Sequence, residues 1–585
     1  MDRIRREFQK VYYNLDKILL LFFVSFTVME FVWIPLNSWL AEFLLSLTGH
    51  AYLSPTNVLQ VLSSNLFVTV LFALLVILNI LVAYLEIALI FTGVRQLLDN
   101  RVKHLRDYIK DVGRDMVGII SHTSLPKISF LLCYATVLLP FLRRILNIYY
   151  FNKLVIPQFV LDYLEKNNLV ALVIALSLLV FSWLSARLMY AIPKIYFEHR
   201  GVKESVAHSW HQTRGWQQLA AYARLLWTMT LPGLVILGVG LTLYLFQLLV
   251  DKTLPSLAYP LALLSFILFR LTYYGAIAMF MTKFVTLLTG QHLPSYRRKR
   301  LRHRLRLLIV VSSALLFGLD GALSLYYPFE SMPVTISHRG VDDENGVQNT
   351  LESLELTAQL RPDFVEMDIQ ETKDGQFVVM HDTNLLALTG NTGGTHDYSL
   401  QELTSMTASE NGQSAPVPSF DAYLDKADQL GQKLLVEIKE TKQDSPDLAK
   451  NFVKKYGKRL LAKGHQFHSL DYQIIVEIEK VLPQLKTYLI LPFNSIYPQT
   501  VADGYTMEYT SLDQNFMMKS WLRGKSVYVW TPNDEDEMTR MAMLQVDGII
   551  TDQLESLQRV EDSLRSTTRY ADLFLLQVES LLYGL

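Results

Sequence analysis

Seven stretches of this chain are too long and too apolar to offer water a polar face: about 18–46, 66–94, 128–149, 169–192, 223–250, 258–288 and 307–326. A bilayer core about 30 Å thick is crossed by roughly 20 apolar residues in helix. The run "LFVTVLFALLVILNILVAYLEIALIF" alone exceeds that length. Buried helices of a large soluble protein are the rival reading, but so many charge-poor blocks would leave such a protein without a surface. Residues 1–327 are therefore expected to form a multi-span α-helical membrane domain of about seven helices. Pro35 and Pro232 are expected to break or kink their spans. The first span is too long for a cleaved signal peptide and reads as a signal anchor.

Lysine and arginine in short loops set the orientation. Arg3, Arg5, Arg6, Lys10 and Lys17 precede the first span, and Arg95, Arg101, Lys103, Arg106, Lys110, Arg114 and Lys127 follow the second. The loop around 48–65, between those two groups, has no basic residue. The alternation continues through Lys194, Arg200, Lys203, Arg214 and Arg224 to "RRKRLRHRLR" at 297–306, with Arg143-Arg144 as the one exception. An inside N-terminus and seven spans put everything after Tyr326 outside, as a multi-pass cell-membrane protein. The basic run directly precedes a hydrophobic span, so it reads as a topology signal and anionic-lipid contact, with no nucleic-acid partner. Glu30 and Glu86 are the acids expected within spans.

From Pro333 the texture changes to short strand-like runs alternating with amphipathic helical stretches. The runs are "VTIS" (334–337), "FVEMDI" (364–369), "FVVMH" (377–381), "KLLVEIK" (433–439), "TYLILP" (487–492), "SVYVW" (526–530) and "DGIIT" (547–551). Helices are expected at 350–360, 419–430, 470–482 and 534–544. This alternation argues an α/β domain with parallel strands, and a closed (β/α)8 TIM barrel over 328–558 fits its length. An open doubly wound sheet is the alternative, disfavoured because no GxGxxG follows the first strand. An amphipathic tail is expected at 559–585, packed on the barrel's outer wall or lying on the bilayer. The one cysteine, Cys133, lies in an apolar block, which excludes disulfides and thiol catalysis in the soluble half.

Strand ends carry the chemistry. His338 and Arg339 directly follow the first strand, and Glu366 and Asp368, two apart, share one face of the second. The third run ends at His381-Asp382, and Glu437 and Lys439 share a face of the fourth. In a barrel such residues converge on one face. Acids set among apolar neighbours are expensive unless a cation neutralises them. Three oxygen ligands suit Ca²⁺ or Mg²⁺. Arg339 and Lys439 suit a phosphate, and two histidines suit acid–base work near neutral pH. The chemistry these residues imply is metal-assisted phosphoester cleavage.

"ISHRG", "QNTLESL", "FVEMDIQETKDGQFVVMHD", "LLVEIK", "VYVWTPND" and "VDGIITD" stand in that order between about 334 and 552. In this set the soluble half resembles the glycerophosphodiester phosphodiesterases, and the apolar half resembles the membrane domain fused to some bacterial members. The resemblance implies His338 and His381 as the catalytic pair. It implies Glu366, Asp368 and Glu437 as metal ligands for Ca²⁺ or Mg²⁺, and Arg339 and Lys439 as phosphate contacts. The implied reaction is hydrolysis of a glycerophosphodiester or lipid-derived substrate to glycerol 3-phosphate and an alcohol, with the glycerol 2-hydroxyl attacking phosphorus. One position departs from the family pattern: Gln348 stands where a glutamate is usual. Two alternatives remain open: a phospholipase D-like or teichoic-acid-cleaving phosphodiesterase, and a transport or sensory protein whose barrel only binds such diesters.

Overall fold

The computed structural model describes residues 20–54, 57–98, 105–134, 164, 168–290, 303–326, 331–494, 496–567 and 569–583. The chain divides into two compact units. One comprises Met1–Thr48, Leu62–Tyr326 and Arg569–Leu585; the other comprises Gly49–Val61 and Tyr327–Thr568.

Among the described residues of the first unit, five helices are long and apolar enough to cross a membrane: Leu20–Leu47, Leu66–Leu98, Trp216–Thr253, Pro255–Thr289 and Leu307–Ser324. A sharply bent pair, Arg106–Ser121 and Leu125–Cys133, adds a sixth if it counts as one span. The span expected at 128–149 lies mostly outside the described residues. The one expected at 169–192 is the helix Asn168–Leu188. Neither proline ends its helix. Pro35 follows a π-helical turn, Met29–Trp33, which absorbs the missing N–H, and Pro232 sits inside Trp216–Thr253. Glu30 is not alone within its span. Its Oε2 accepts from the Tyr274 hydroxyl at 2.7 Å, and Arg270 lies between Glu30 (3.6 Å) and Asp320.

The tail departs from expectation. Leu554–Thr567 stays with the second unit, whereas Tyr570–Tyr583 packs against Trp216–Thr253 and Ala258–Thr289 in the first. The Ala571 N–H donates to Asp251 Oδ2 at 2.9 Å, Tyr273 Oη donates to the Leu581 carbonyl, and Phe574 meets Phe269 edge-on. Ala571, Leu573, Phe574, Leu576 and Val578 are all buried. A helix with so wide an apolar face is better covered by two spans than by a barrel's flank.

The second unit is a closed barrel. Its parallel strands are β1 (Val334–Ser337), β2 (Phe364–Glu371), β6 (Leu434–Ile438), β7 (Gln466–Ser469), β8 (Thr487–Leu491), β9 (Gly504–Glu508), β10 (Ser526–Trp530) and β11 (Gly548–Thr551). Each pairs with the next in that order, and β1 closes the ring by pairing with both β11 and β2. Short β3 (Phe377–Val379) runs antiparallel to the end of β2, and β4 (Thr407–Glu410) and β5 (Gln413–Pro416) form a separate hairpin. Expected helices appear as Leu351–Gln359, Phe420–Leu430, Tyr472–Val481 and Glu535–Met543. Sequence reading missed β7, β9 and the hairpin.

Strand alternation builds the barrel interior in layers. Ile336, Phe364, Leu435, Tyr488, Tyr528 and Ile550 form one buried apolar cluster. Each such side chain contributes about 1.5–3 kcal/mol by leaving water. Gly504 makes room for it, since a Cβ there would stand 2.7 Å from the Tyr488 ring. Two residues further along β1, β2, β6 and β11 come His338, Glu366, Glu437 and Asp552. An apolar floor thus carries an ionisable layer at the carboxyl ends of the strands.

Candidate active site

The chain leaves β1 through a single tight turn. Arg339 takes a left-handed conformation (φ 53°), held because its N–H donates to Glu366 Oε2 at 2.9 Å while its carbonyl accepts from the Asn349 N–H at 2.8 Å. That turn points His338 and Arg339 in different directions from adjacent positions.

His338 Nδ1 donates to Asp552 Oδ1 at 2.7 Å. Asp552 is held in turn by Asn533. Asn533 Nδ2 donates to Asp552 Oδ2 at 2.8 Å, and Asn533 Oδ1 accepts from the Asp552 N–H and the Thr551 hydroxyl, both at 2.9 Å. Burial pushes the His338 pKa down, but the Asp552 charge and hydrogen bond outweigh it and hold the imidazole above its usual value. Asp552 moves the other way, to about 2: burial opposes its charge, and His338 more than compensates. His381, past the end of β3, has a similar partner, with Nδ1 2.8 Å from Asp382 Oδ1. Buried Gln370 fixes that strand end by donating to the carbonyls of Met380, His381 and Asp382. Both histidines therefore keep Nε2 clear of their aspartates.

Between them lies a charged cluster. Asp368 is 1% exposed and accepts from Asn349 Nδ2 at 2.8 Å, with Lys439 Nζ 3.4 Å and Arg339 Nε 3.6 Å away. Burial raises its pKa, but Lys439 and Arg339 overcome that and hold it well below the usual carboxylate range. Lys439 also meets Glu437 at 2.8 Å, and its acidic neighbours raise its pKa against burial. Arg339 Nε is buried facing Asp368 without a hydrogen bond in range, while Nη1 donates to Gln348.

All seven residues singled out in the sequence stand at this one end of the barrel. The candidate metal group differs in composition from the sequence reading. Glu366, Glu437 and His468 each offer a ligand atom within 4.8 Å of the others. Asp368 is instead engaged with Asn349 and the two cations. His468, on β7, is buried, and its Nε2 has no hydrogen-bond partner although Glu366 lies 3.5 Å and Glu437 3.9 Å away. An orphaned imidazole nitrogen between two carboxylates fits a divalent cation. "QFHS" has no β-branched residue and only four positions, so its strand left little sequence signal. A second group, Glu371, His396 and Asp444, is satisfied by its own neighbours Thr441 and Ser445.

Comparison with known families matches both units. A profile described as the membrane domain of glycerophosphoryl diester phosphodiesterase covers residues 4–319, over half of the chain, and the glycerophosphoryl diester phosphodiesterase family profile covers 338–556. The chain belongs to this family. It is a phosphoric diester hydrolase with a membrane domain, and it localises to a membrane. A glycerophosphodiester phosphodiesterase of Caldanaerobacter subterraneus is 26% identical over 38% of this chain and 96% of its own length. A mouse lysophospholipase D is 26% identical over 37% of this chain and 82% of its own. An Oleispira antarctica phosphodiesterase structure, in complex with the product sn-glycerol-3-phosphate, is 22% identical; it covers 40% of this chain and 98% of its own, with a TM-score of 0.35.

Proposed function

We propose that the barrel hydrolyses a glycerophosphodiester to glycerol 3-phosphate and an alcohol, on the outer side of the membrane, with a divalent cation at the strand ends. One observation carries the reading: two histidines, each oriented through Nδ1 by an aspartate, stand at the same strand ends as an arginine and a lysine that share the buried acid Asp368.

Arg339 and Lys439 bind the phosphate oxygens and orient the diester. Asp368 holds both cations in place by its charge. His338, whose pKa Asp552 raises, is the proton donor and delivers its proton from Nε2 to the leaving alcohol. His381 takes the proton of the glycerol 2-hydroxyl at its own Nε2 as that oxygen attacks phosphorus. Water then opens the resulting cyclic phosphate with the two roles exchanged. Glu366, Glu437 and His468, with Asp368 beside them, would hold the cation, Ca²⁺ or Mg²⁺ on the oxygen donors alone. When bound it supplies charge stabilisation to the phosphoryl oxygens.

Two features support the outer placement. The segment Gly49–Val61, which links the first two spans, packs with the catalytic unit: the Ala51 carbonyl accepts from the Gln499 N–H at 2.7 Å, and Tyr52 meets Tyr472 edge-on. That segment carries no lysine or arginine, whereas the N-terminal stretch before it carries several. Both features support a loop and barrel on the face opposite the N-terminus.

The test is product release by the full chain in detergent, with and without EDTA, across soluble glycerophosphodiesters and lysophospholipids. Glycerol 3-phosphate appearing only when metal is present supports the proposal. Binding without turnover would favour a sensory or transport role.

A further inference from the structure

Gln348 stands between a carboxylate and Arg339, and its hydrogen bonds fix which way its amide faces. Its N–H and its Nε2 both donate to the Glu410 carboxylate, at 3.2 and 2.7 Å. Its Oε1 accepts from Arg339 Nη1 at 2.6 Å. A primary amide has one acceptor oxygen and one donor nitrogen. With the nitrogen held by Glu410, the oxygen faces the guanidinium.

Glu410 comes from outside the barrel sheet. It is the last residue of β4, directly before Asn411-Gly412, and both turn residues have positive φ (52° and 76°), as a two-residue hairpin requires. Register pairs Glu410 with Gln413, and the Ser409 and Ser414 hydroxyls meet at 2.8 Å below them. The hairpin's Ala408 and Ala415 pack in one apolar cluster with Val347 and Met380, the residues that precede Gln348 and His381. The tip is thereby fixed against the segment it serves.

We propose that Glu410 is a positioning residue for Arg339, acting through the Gln348 amide. The negative charge lies one residue beyond the direct contact and reaches the guanidinium as a polarised, oriented carbonyl. Without Glu410, the amide is free to turn and present its NH₂ to Arg339, which repels it. Arg339 then relaxes toward Asp368, already 3.6 Å from its Nε, and away from the phosphate. The proposal rests on the reading of Arg339 as a phosphate contact.

The experiment is a charge-exchange cycle on the full chain in detergent, measuring hydrolysis of sn-glycero-3-phosphocholine and its inhibition by inorganic phosphate. Glu410→Gln weakens the anchor and raises KM and the phosphate Ki about threefold to tenfold. Gln348→Glu brings two carboxylates together at the 2.7 Å contact and raises both about tenfold or more. The double variant restores one amide and one carboxylate across the same contact, and returns both constants to within about threefold of the parent. A general structural role gives no such rescue. A double variant at least as impaired as the worse single, or singles that match the parent, overturns the proposal. Arg339→Ala separates the two readings. If it leaves phosphate inhibition unchanged, the role of Arg339 fails. If it abolishes inhibition while the cycle is additive, only the role of Glu410 fails. Should Gln348→Glu not fold, Glu410→Asp probes the same contact from one methylene further back, and parent-like phosphate affinity there counts against the proposal.

Discussion

His338 and Asp552 are 214 positions apart in the chain and 2.7 Å apart in the fold. They meet because β1 and β11 pair in register, Ser337 opposite Thr551, and each strand ends one residue before its member of the pair. The ladder that closes the barrel also assembles the dyad.

Asp552→Asn tests the pair through pH. In the parent, Asp552 raises the His338 pKa, so the acid form persists to higher pH, and under the proposed role activity falls only above that raised value. The stability this pair contributes through His338 is present below the unfolded histidine pKa, about 6.5, and is lost as pH rises through the folded value. Asp552, held to about 2, contributes stability above its unfolded value that is lost as pH falls toward 2. The asparagine variant should lower kcat by roughly 10²-fold and move the basic limb of the pH–rate profile to lower pH. A profile that keeps its shape would remove Asp552 from any influence on the proton.

His468→Ala tests the metal group. Removing one of three donors should weaken divalent-cation affinity about tenfold or more, seen both in the metal dependence of turnover and in the rise in Tm on adding metal. Glu437→Gln, which keeps size and shape, should behave alike. Parent-like thermal stabilisation by metal in the His468 variant would return the ligand set to the acids alone.

Much of this was readable from residues, and the limits have physical causes. Strands whose buried faces are dense in valine, leucine and isoleucine, such as "LLVEI" and "FVEMDI", declared both themselves and their acids. β7 and β9 did not: "QFHS" and "GYTME" are buried on both faces of a closed sheet, yet lack an apolar run. With β7 went His468. Asn411-Gly412 is a standard hairpin signal, but it joins strands too polar to be noticed, and Glu410 went with it. Asn533 and Asp552 stood inside quoted motifs without a role, because their contacts across 19 and 214 positions come from the pairing of β11 with β10 and with β1. Gln348 reads as a lost charge in sequence, and only the fold supplies the acid beside it.

Orientation is tested by labelling. Ser405 is exposed on the catalytic unit, so Ser405→Cys in a Cys133→Ser background should react with a membrane-impermeant maleimide on intact cells. Reaction only after lysis would put the barrel on the side of the N-terminus and leave the charge alternation without its expected consequence.

The nucleophile is the deepest part of the mechanism to test. The barrel contains no cysteine, and both histidines spend Nδ1 on an aspartate, leaving each one nitrogen for proton transfer. The attacking oxygen must come from water or from the substrate. If it is the glycerol 2-hydroxyl, a substrate lacking that group still meets Arg339 and Lys439 through its phosphate and binds with a similar KM. Its turnover should collapse, because an intramolecular nucleophile held near phosphorus is worth on the order of several kcal/mol in effective concentration. His381→Ala should then cost the parent substrate roughly 10²-fold or more, but add little to the already slow 2-deoxy substrate, since the proton it removes is no longer there. Near-normal hydrolysis of the 2-deoxy diester would instead make water the nucleophile. His381 would then act on that water, and its alanine variant would slow both substrates equally.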